Sequence, residues 1–538
     1  MKHKNILICM AVLALGLTLL AYCQQAGGNE QQVPTPEEVE VQIQELNRGR
    51  TFELAMPPLS LRLSPSEDPY TDIKGAELHQ YLDELTEFSR QSERDGNLLW
   101  GRIQGTKYER RAAEYVMNKF EEFGLKDVRM EEFPCVAPQW HPSELSLTLI
   151  GGSSPGAPKQ DYEFETAFAA FEPGVTPPEG IEAEVVYVGL GSPAELMGRD
   201  LEGKIALVYS QVYEGVHVHS ARSVVPRLAK QGKALGVIVW LDLPGNGKYA
   251  CRCGEGSEKI PYLTVGYLDG LYLRKVIEAS GLKSPPRVRM KVVGEMKKGL
   301  TSQNVIGVLP GTTDEYVIFT AHVDGYWLAA LDNGSGVSAL LSLARHYSRM
   351  PAEKRRRNRL FLVAGDHEVP GAGGTIMFAK MHPDIIKKTA VVFQLEHISS
   401  TSLTEELGWY SPTNTENPRG LFVTNQSPLL LGFFKDVADR YGIATSQGSY
   451  PNYWGDVVGF METGVTCAGW IEATYYYHSA LDSPAVVTPQ GLERITRAYA
   501  YVVDKVEGVS RQEIERGGIT TPSLHYGSEM ERFIHSMW

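Results

Sequence analysis

Cysteine is scarce in this chain, with six residues in 538. Cys9 and Cys23 fall in the first apolar stretch, which leaves Cys135, Cys251, Cys253 and Cys467 for the rest. Four is too few to build a disulfide scaffold at this length. Cys251 and Cys253 lack a second pair at zinc-finger spacing, so they read as a loop pair or a local disulfide. Positive charge is also short: 52 Lys and Arg face 65 Asp and Glu, for a formal net charge of -13. That balance argues against a general affinity for nucleic acid. The basic run Lys354–Arg359 lies between a helix pattern and a strand pattern and reads as a solvated connection. Beyond the amino terminus no apolar run is long enough to span a membrane.

The amino terminus carries a targeting pattern. Lys2 and Lys4 precede the apolar Ile6–Leu20, which is too short and too early for an ordinary spanning helix. Leu20-Ala21-Tyr22-Cys23 resembles a bacterial lipoprotein box, although Tyr22 departs from the small residue usual before the cysteine. The expectation is a signal segment over 1–23, export to the cell envelope or beyond it, and a membrane association made only through lipid on Cys23. Residues 24–66, rich in Gln, Glu and Pro, read as a flexible tether.

The chemistry concentrates after residue 300. Tyr316–Ala321 is a short apolar run of buried-strand type, and His322 and Asp324 follow at its end. Asp332-Asn333-Gly334-Ser335-Gly336 then opens an apolar-periodic helix. Arg359–Val363 is a second such run, leading into Asp366-His367-Glu368 and the glycine-rich Gly371–Gly374. Ala390–Leu395 is a third, ending at Glu396-His397. Tyr475-Tyr476-Tyr477-His478 precedes a helix pattern over Pro489–Val506, with Asp482 four residues after His478. In open α/β sheets ligands gather at the carboxyl ends of strands, and His and carboxylates there can form a metal site.

Taken together, these segments resemble the co-catalytic di-zinc exopeptidases, a family of secreted aminopeptidases, glutamate carboxypeptidase II, glutaminyl cyclases and the non-enzymatic transferrin receptor. The resemblance implies a mixed-sheet α/β zinc-exopeptidase domain with helices on both faces. It implies two divalent metal ions, zinc first. His322 and Glu396 would hold one and Glu368 and His478 the other, with Asp332 bridging and Asp324 orienting His322. Two positions depart from the family pattern. The acidic pair, normally Glu-Glu, reads His367-Glu368, so the general-base position carries an imidazole. Glu396 stands where many members have Asp.

The rest of the chain frames this core. Thr106-Lys107-Tyr108-Glu109 has the form of a capping box, starting a helix through Phe123, and Val128–Phe133 reads as a strand. Over 161–293 short strands alternate with glycine-rich turns: Ala183–Gly189, Lys204–Ser210, Gly236–Leu241 and Tyr262–Gly266. This order resembles a protease-associated domain inserted in the same peptidases, and His217 and His219 within it read as a surface loop. The expected organisation is a peptidase domain over 67–160 and 294–510, the insert at 161–293 as a lid or substrate wall, and a tail at 511–538.

A metal pair about 4 Å apart can bring the pKa of a shared water toward 7 and polarise a peptide carbonyl. A base must then take a proton. His367, with a reference pKa of about 6.5, can serve if it stays neutral and does not become a ligand instead. Asp366 is the fallback, and Tyr477 beside His478 is a candidate for hydrogen-bonding the oxyanion. The expectation is an exported metallo-exopeptidase, an aminopeptidase first, acting on peptides. The alternative is a non-hydrolytic peptide- or partner-binding descendant that keeps the metal cradle, because His367 replaces the usual Glu. Cyclisation of an amino-terminal glutamine is a third reading.

Overall fold

All three apolar runs are strands, and their side chains divide between two cores. In the computed structural model they span Tyr316–His322, Asn358–Ala364 and Thr389–Leu395. The structure describes residues 69–517 apart from 213–218, 244–245, 370, 407–408, 451–452, 454 and 473. The expected signal segment, the tether, His217 and the tail beyond 517 lie outside the described residues.

The three strands sit side by side in an eight-stranded mixed sheet. Its order is Thr445–Tyr450, Arg419–Val423, Cys467–Ile471, Thr389–Leu395, Tyr316–His322, Asn358–Ala364, Thr301–Leu309, Lys126–Pro134. Tyr316–His322 is parallel to both its neighbours, and Thr389–Leu395 is parallel to Cys467–Ile471. Asn358–Ala364 pairs antiparallel with Thr301–Leu309, which pairs antiparallel with Lys126–Pro134.

Alternate residues of a strand face opposite sides, so a strand buried on both reads as a continuous apolar run. Val317, Phe319, Phe361, Val363, Val391 and Phe393 face one core, packed by the helices Gly75–Arg94, Lys107–Glu122, Gly336–Ser348, Pro428–Tyr441 and Pro489–Glu507. Ile318, Leu360, Leu362 and Val392 face the other, with Phe378 of the helix Gly373–Met381 and Val457 and Phe460 of the 3-10 turn Gly455–Thr463. Each such side chain contributes roughly 1.5–3 kcal/mol by leaving water. This is the expected α/β architecture with helices on both faces.

A second sheet of seven strands takes the residues between. Its order is Tyr162–Glu163, Gln139–Leu149, Arg287–Lys297, Ile181–Tyr187, Ile205–Gln211, Gly236–Asp242, Tyr262–Val265. It begins upstream of residue 161, because Gln139–Leu149 pairs along its whole length with Arg287–Lys297. Cys251 and Cys253 form the expected loop pair, buried in its core and not joined by a disulfide.

The capping box over 106–109 also resolves differently. Thr106 precedes the helix Lys107–Glu122, but its hydroxyl donates back to the Ile103 carbonyl at 2.6 Å. The Glu109 carboxylate accepts from Gly105 N at 2.7 Å, the Ser302 hydroxyl at 2.6 Å and Asp366 N at 3.1 Å. A residue expected only to start a helix ties that helix to the loop ahead of His367 and Glu368.

Candidate metal centre

His322, the His367-Glu368 pair and Glu396 arrive at one place because they end, or follow within four residues of, three adjacent parallel strands. Asp332 reaches it from the turn that starts the helix Gly336–Ser348. That turn is fixed by its own sequence. The Asn333 amide donates to the Leu395 carbonyl at 2.9 Å, and its oxygen accepts from Gly336 N at 3.0 Å. A Cβ on Gly336 would come within 1.9 Å of the Leu395 carbonyl oxygen, so only glycine allows the turn to close on the strand end that precedes Glu396.

The Asp332 carboxylate faces imidazoles on two sides. Its Oδ1 lies 3.2 Å from Nε2 of His322 and 2.8 Å from Nε2 of His397. Its Oδ2 lies 3.2 Å from Nε2 of His478, whose same nitrogen is 2.7 Å from Oε2 of Glu368. Oε1 of Glu396 lies 3.8 Å from Nε2 of His367 and 3.9 Å from Nε2 of His397. All these side chains are buried. The five expected ligands, His322, Asp332, Glu368, Glu396 and His478, thus converge.

The supporting contacts are more specific than expected. Nδ1 of His322 lies 3.1 Å from the backbone carbonyl of Asp324, which directs Nε2 into the cluster. The Asp324 carboxylate is 3.6 Å from that Nδ1, while its Oδ2 accepts from the backbone N–H of His367 at 2.8 Å and of Glu368 at 2.9 Å. Asp324 therefore orients the His-Glu pair as much as His322. Nδ1 of His397 lies 3.1 Å from the Glu472 carbonyl, the same device.

The proposed helpers Asp366 and Tyr477 lie at different distances from the cluster. Asp366 does not join the cluster; its Oδ2 accepts from Val136 N at 2.7 Å, and burial pushes its carboxyl up to about 8. The Tyr477 ring packs beside those of His478 and His397, at centroid distances of 3.8 and 4.9 Å and tilted by 32° and 52°. Tyr326 was not foreseen. Its ring meets His478 edge-on at 5.0 Å, and its buried hydroxyl has no hydrogen-bond partner among the described residues.

His397 and Asp456 are further members that pattern reading passed over. His397 is visible only as the neighbour of Glu396. Asp456 lies 2.8 Å from Nδ1 of His367 across 89 residues of chain, and no local signal marks it. The second sheet also enters the site: Ala250 N donates to the His478 carbonyl at 2.8 Å and Ala480 N to that of Lys248 at 3.0 Å. His219, by contrast, is buried between the Ser210 hydroxyl at 2.8 Å and the Arg252 carbonyl at 3.0 Å, not in a surface loop.

The donor set fits divalent metal. Nε2 of His322, Nε2 of His397, Oδ2 of Asp332 and Oε1 of Glu368 are buried and, despite their close approaches to one another, make no aligned hydrogen bond among the described residues. Donor atoms of three triplets lie within 4.8 Å of one another: His322, Asp332 and His397; His322, His367 and Glu396; Asp332, Glu368 and His478. Nitrogen and carboxylate oxygen donors suit zinc. The electrostatics agree. Burial lowers the imidazoles, but Glu368 and Asp332 bring His478 up to about 9, and Asp332 and Glu396 do the same for His397. Burial would raise Asp332, yet His397 and His322 hold it well below the carboxylate range. Cations can take the place of those protons.

Residues 304–503 match the model described as Peptidase family M28. The chain is 25% identical to Aminopeptidase YwaD of Bacillus subtilis, over 73% of this chain and 78% of that protein. It is 23% identical to human Carboxypeptidase Q, over 76% and 83%. In fold it resembles a Peptidase M28 precursor from Shewanella amazonensis, with a TM-score of 0.60, 18% identity, and 82% of this chain and 98% of that one covered. It also resembles a zinc aminopeptidase from Bacillus subtilis, with a TM-score of 0.57, 21% identity and the same coverage. These comparisons support a metallo-exopeptidase hydrolase, and every clustered side chain lies inside the segment that matches Peptidase family M28.

Proposed function

We propose that the protein is an exported metal-dependent exopeptidase, acting as an aminopeptidase with two zinc ions. The observation that carries this reading is the Asp332 carboxylate, with one oxygen toward His322 and His397 and the other toward His478. That is the placement a bridging ligand needs. His322 and Glu396 would hold one ion, Glu368 and His478 the other. Bound there, the ions would lower the pKa of a water and polarise the peptide carbonyl.

The remaining work belongs to the chain's own residues. Asp324 fixes the backbone of the His367-Glu368 pair, and Asp482 fixes that of Asp332. The buried Tyr326 hydroxyl is a donor for the oxyanion of the tetrahedral intermediate. His367 stands within the cluster at the proton acceptor's position, and Oε1 of Glu368 is a second acceptor without a partner among the described residues. The segment over 139–297 acts as a protease-associated-like wall, since its loop at Lys248–Ala250 pairs with the backbone around His478. Relatives named as an aminopeptidase and a carboxypeptidase favour hydrolysis over a purely binding role. No helix among the described residues is long and apolar enough to cross a membrane. The export signal over 1–23 and lipid on Cys23 supply the route and the anchor in this reading.

The test is a peptide library incubated with the zinc-loaded protein and read by mass spectrometry, with His478→Ala beside it. Stepwise loss from the amino end, silent in the variant, is expected. Loss from the carboxyl end would reverse the polarity. No cleavage by a protein that holds two metals would leave a binding protein.

A further inference from the structure

His367 occupies the place where a general base is expected, yet its surroundings are those of a ligand. Its ring lies face to face on that of His322, centroids 3.9 Å apart and planes 11° from parallel. It is buried, and Glu396 lies 3.8 Å from its Nε2. One donor atom each from His322, His367 and Glu396 falls within 4.8 Å of the others. Bonds of about 2.0–2.2 Å to one zinc ion would hold such atoms roughly 3–4 Å apart, so small rotations close the set.

The other nitrogen of the ring faces a carboxylate. Nδ1 lies 2.8 Å from Oδ1 of Asp456. A metal-binding imidazole ordinarily has a carboxylate or carbonyl at its second nitrogen, which sets its tautomer and direction. Asp456 is itself held in place, its backbone N–H donating to Oε2 of Glu396 at 2.8 Å. The same turn therefore positions two members of the cradle, His367 through the Asp456 side chain and Glu396 through its backbone.

We propose that His367, seated by Asp456, is a ligand of the metal held by His322 and Glu396. The inference rests on the metallopeptidase reading and assigns its altered residue. The imidazole at the base position adds a donor to the metal cradle, and proton transfer passes to another group.

The test reads metal directly. Full-length protein, His367→Ala, His367→Gln and Asp456→Asn are stripped of metal and titrated with Zn²⁺ by calorimetry and with Co²⁺ by visible absorption. Circular dichroism checks that each variant folds, and the Gln variant keeps the bulk if Ala does not. The wild type is expected to bind two ions. Both His367 variants should weaken one of them at least 10–100-fold and shift its Co²⁺ bands, leaving the other unchanged. Asp456→Asn should weaken the same ion less. Two ions bound with wild-type affinity and unchanged Co²⁺ bands in the His367 variants would overturn the proposal and leave the metallopeptidase reading standing. A wild type that binds no metal would remove both.

Discussion

Asp482 holds the backbone of Asp332. Its two carboxylate oxygens accept from the N–H of Leu331 at 2.6 Å and of Asp332 at 3.0 Å, across 150 residues of chain. The link explains why an aspartate stands four residues after His478: the segment that supplies one ligand also fixes the ligand that faces it. Asp482→Ala would leave two buried donors unpaired, each costing about 1–3 kcal/mol. Expected are a clear fall in thermal stability and metal affinity weakened about 10–100-fold. A variant with unchanged zinc affinity would mean that Asp332 keeps its place unaided. Asp482→Asn, which retains one acceptor, should lie between.

Glu109 is expected to act at a distance. Its carboxyl group joins Gly105, Ser302 and Asp366, and burial raises its pKa well above the carboxylate range. Both oxygens accept, so Glu109→Gln, which keeps one acceptor and sets an NH2 group against a donor, should lose about 1–3 kcal/mol, whereas Glu109→Ala, which strands all three donors, should lose several times more. Denaturant unfolding of the two variants checks this, and equal losses would refute it.

Gly455 gives a steric probe of Glu396. It sits at φ +60°, and a Cβ there would lie 2.1 Å from Oε2 of Glu396. Gly455→Ala must displace the carboxylate or the turn. The measurement is zinc stoichiometry with circular dichroism. One ion lost from a folded protein is the expected result, and two retained at full affinity would show that Glu396 can move without consequence.

His219 makes the second sheet sensitive to acid. Burial lowers its pKa from 6.5 to about 4, against the opposing pull of the Arg252 carbonyl. The neutral ring is favoured in the folded state, so its contribution is complete above pH 6.5 and is lost as pH falls through 4. The change amounts to about 3 kcal/mol. Urea unfolding from pH 7 to pH 4 should show His219→Asn losing less stability than the wild type by about that amount. Parallel slopes for the two proteins would rule this out.

Much of the site was legible because its residues sit at the ends of strands that are themselves legible. A strand buried on both faces must be apolar throughout, so a polar residue that closes the run, such as His322 or Glu396, stands out. His367 was equally visible as a departure. Asp456 was not, since nothing near it in the chain announces its contact with a ring 89 residues away. Thr106 and Glu109 show the opposite error: local spacing suggested a capping box, and tertiary partners at Ile103, Ser302 and Asp366 took those side chains instead.

By itself the sequence determined the eight-stranded sheet's central strands, the order in which polar residues leave their ends, and the composition of a nitrogen-and-carboxylate donor set. These follow from local rules, since alternation decides which faces are buried and turn residues decide where strands stop. Only the tertiary structure decided which donors face which. Asp332 meets His397 as well as His322 and His478, His367 turns one nitrogen to Asp456, and Asp366 turns away toward Val136. The physical reason is that a contact of 3 Å depends on how separate layers dock, and docking is set by the packing of whole faces rather than by neighbours in the chain.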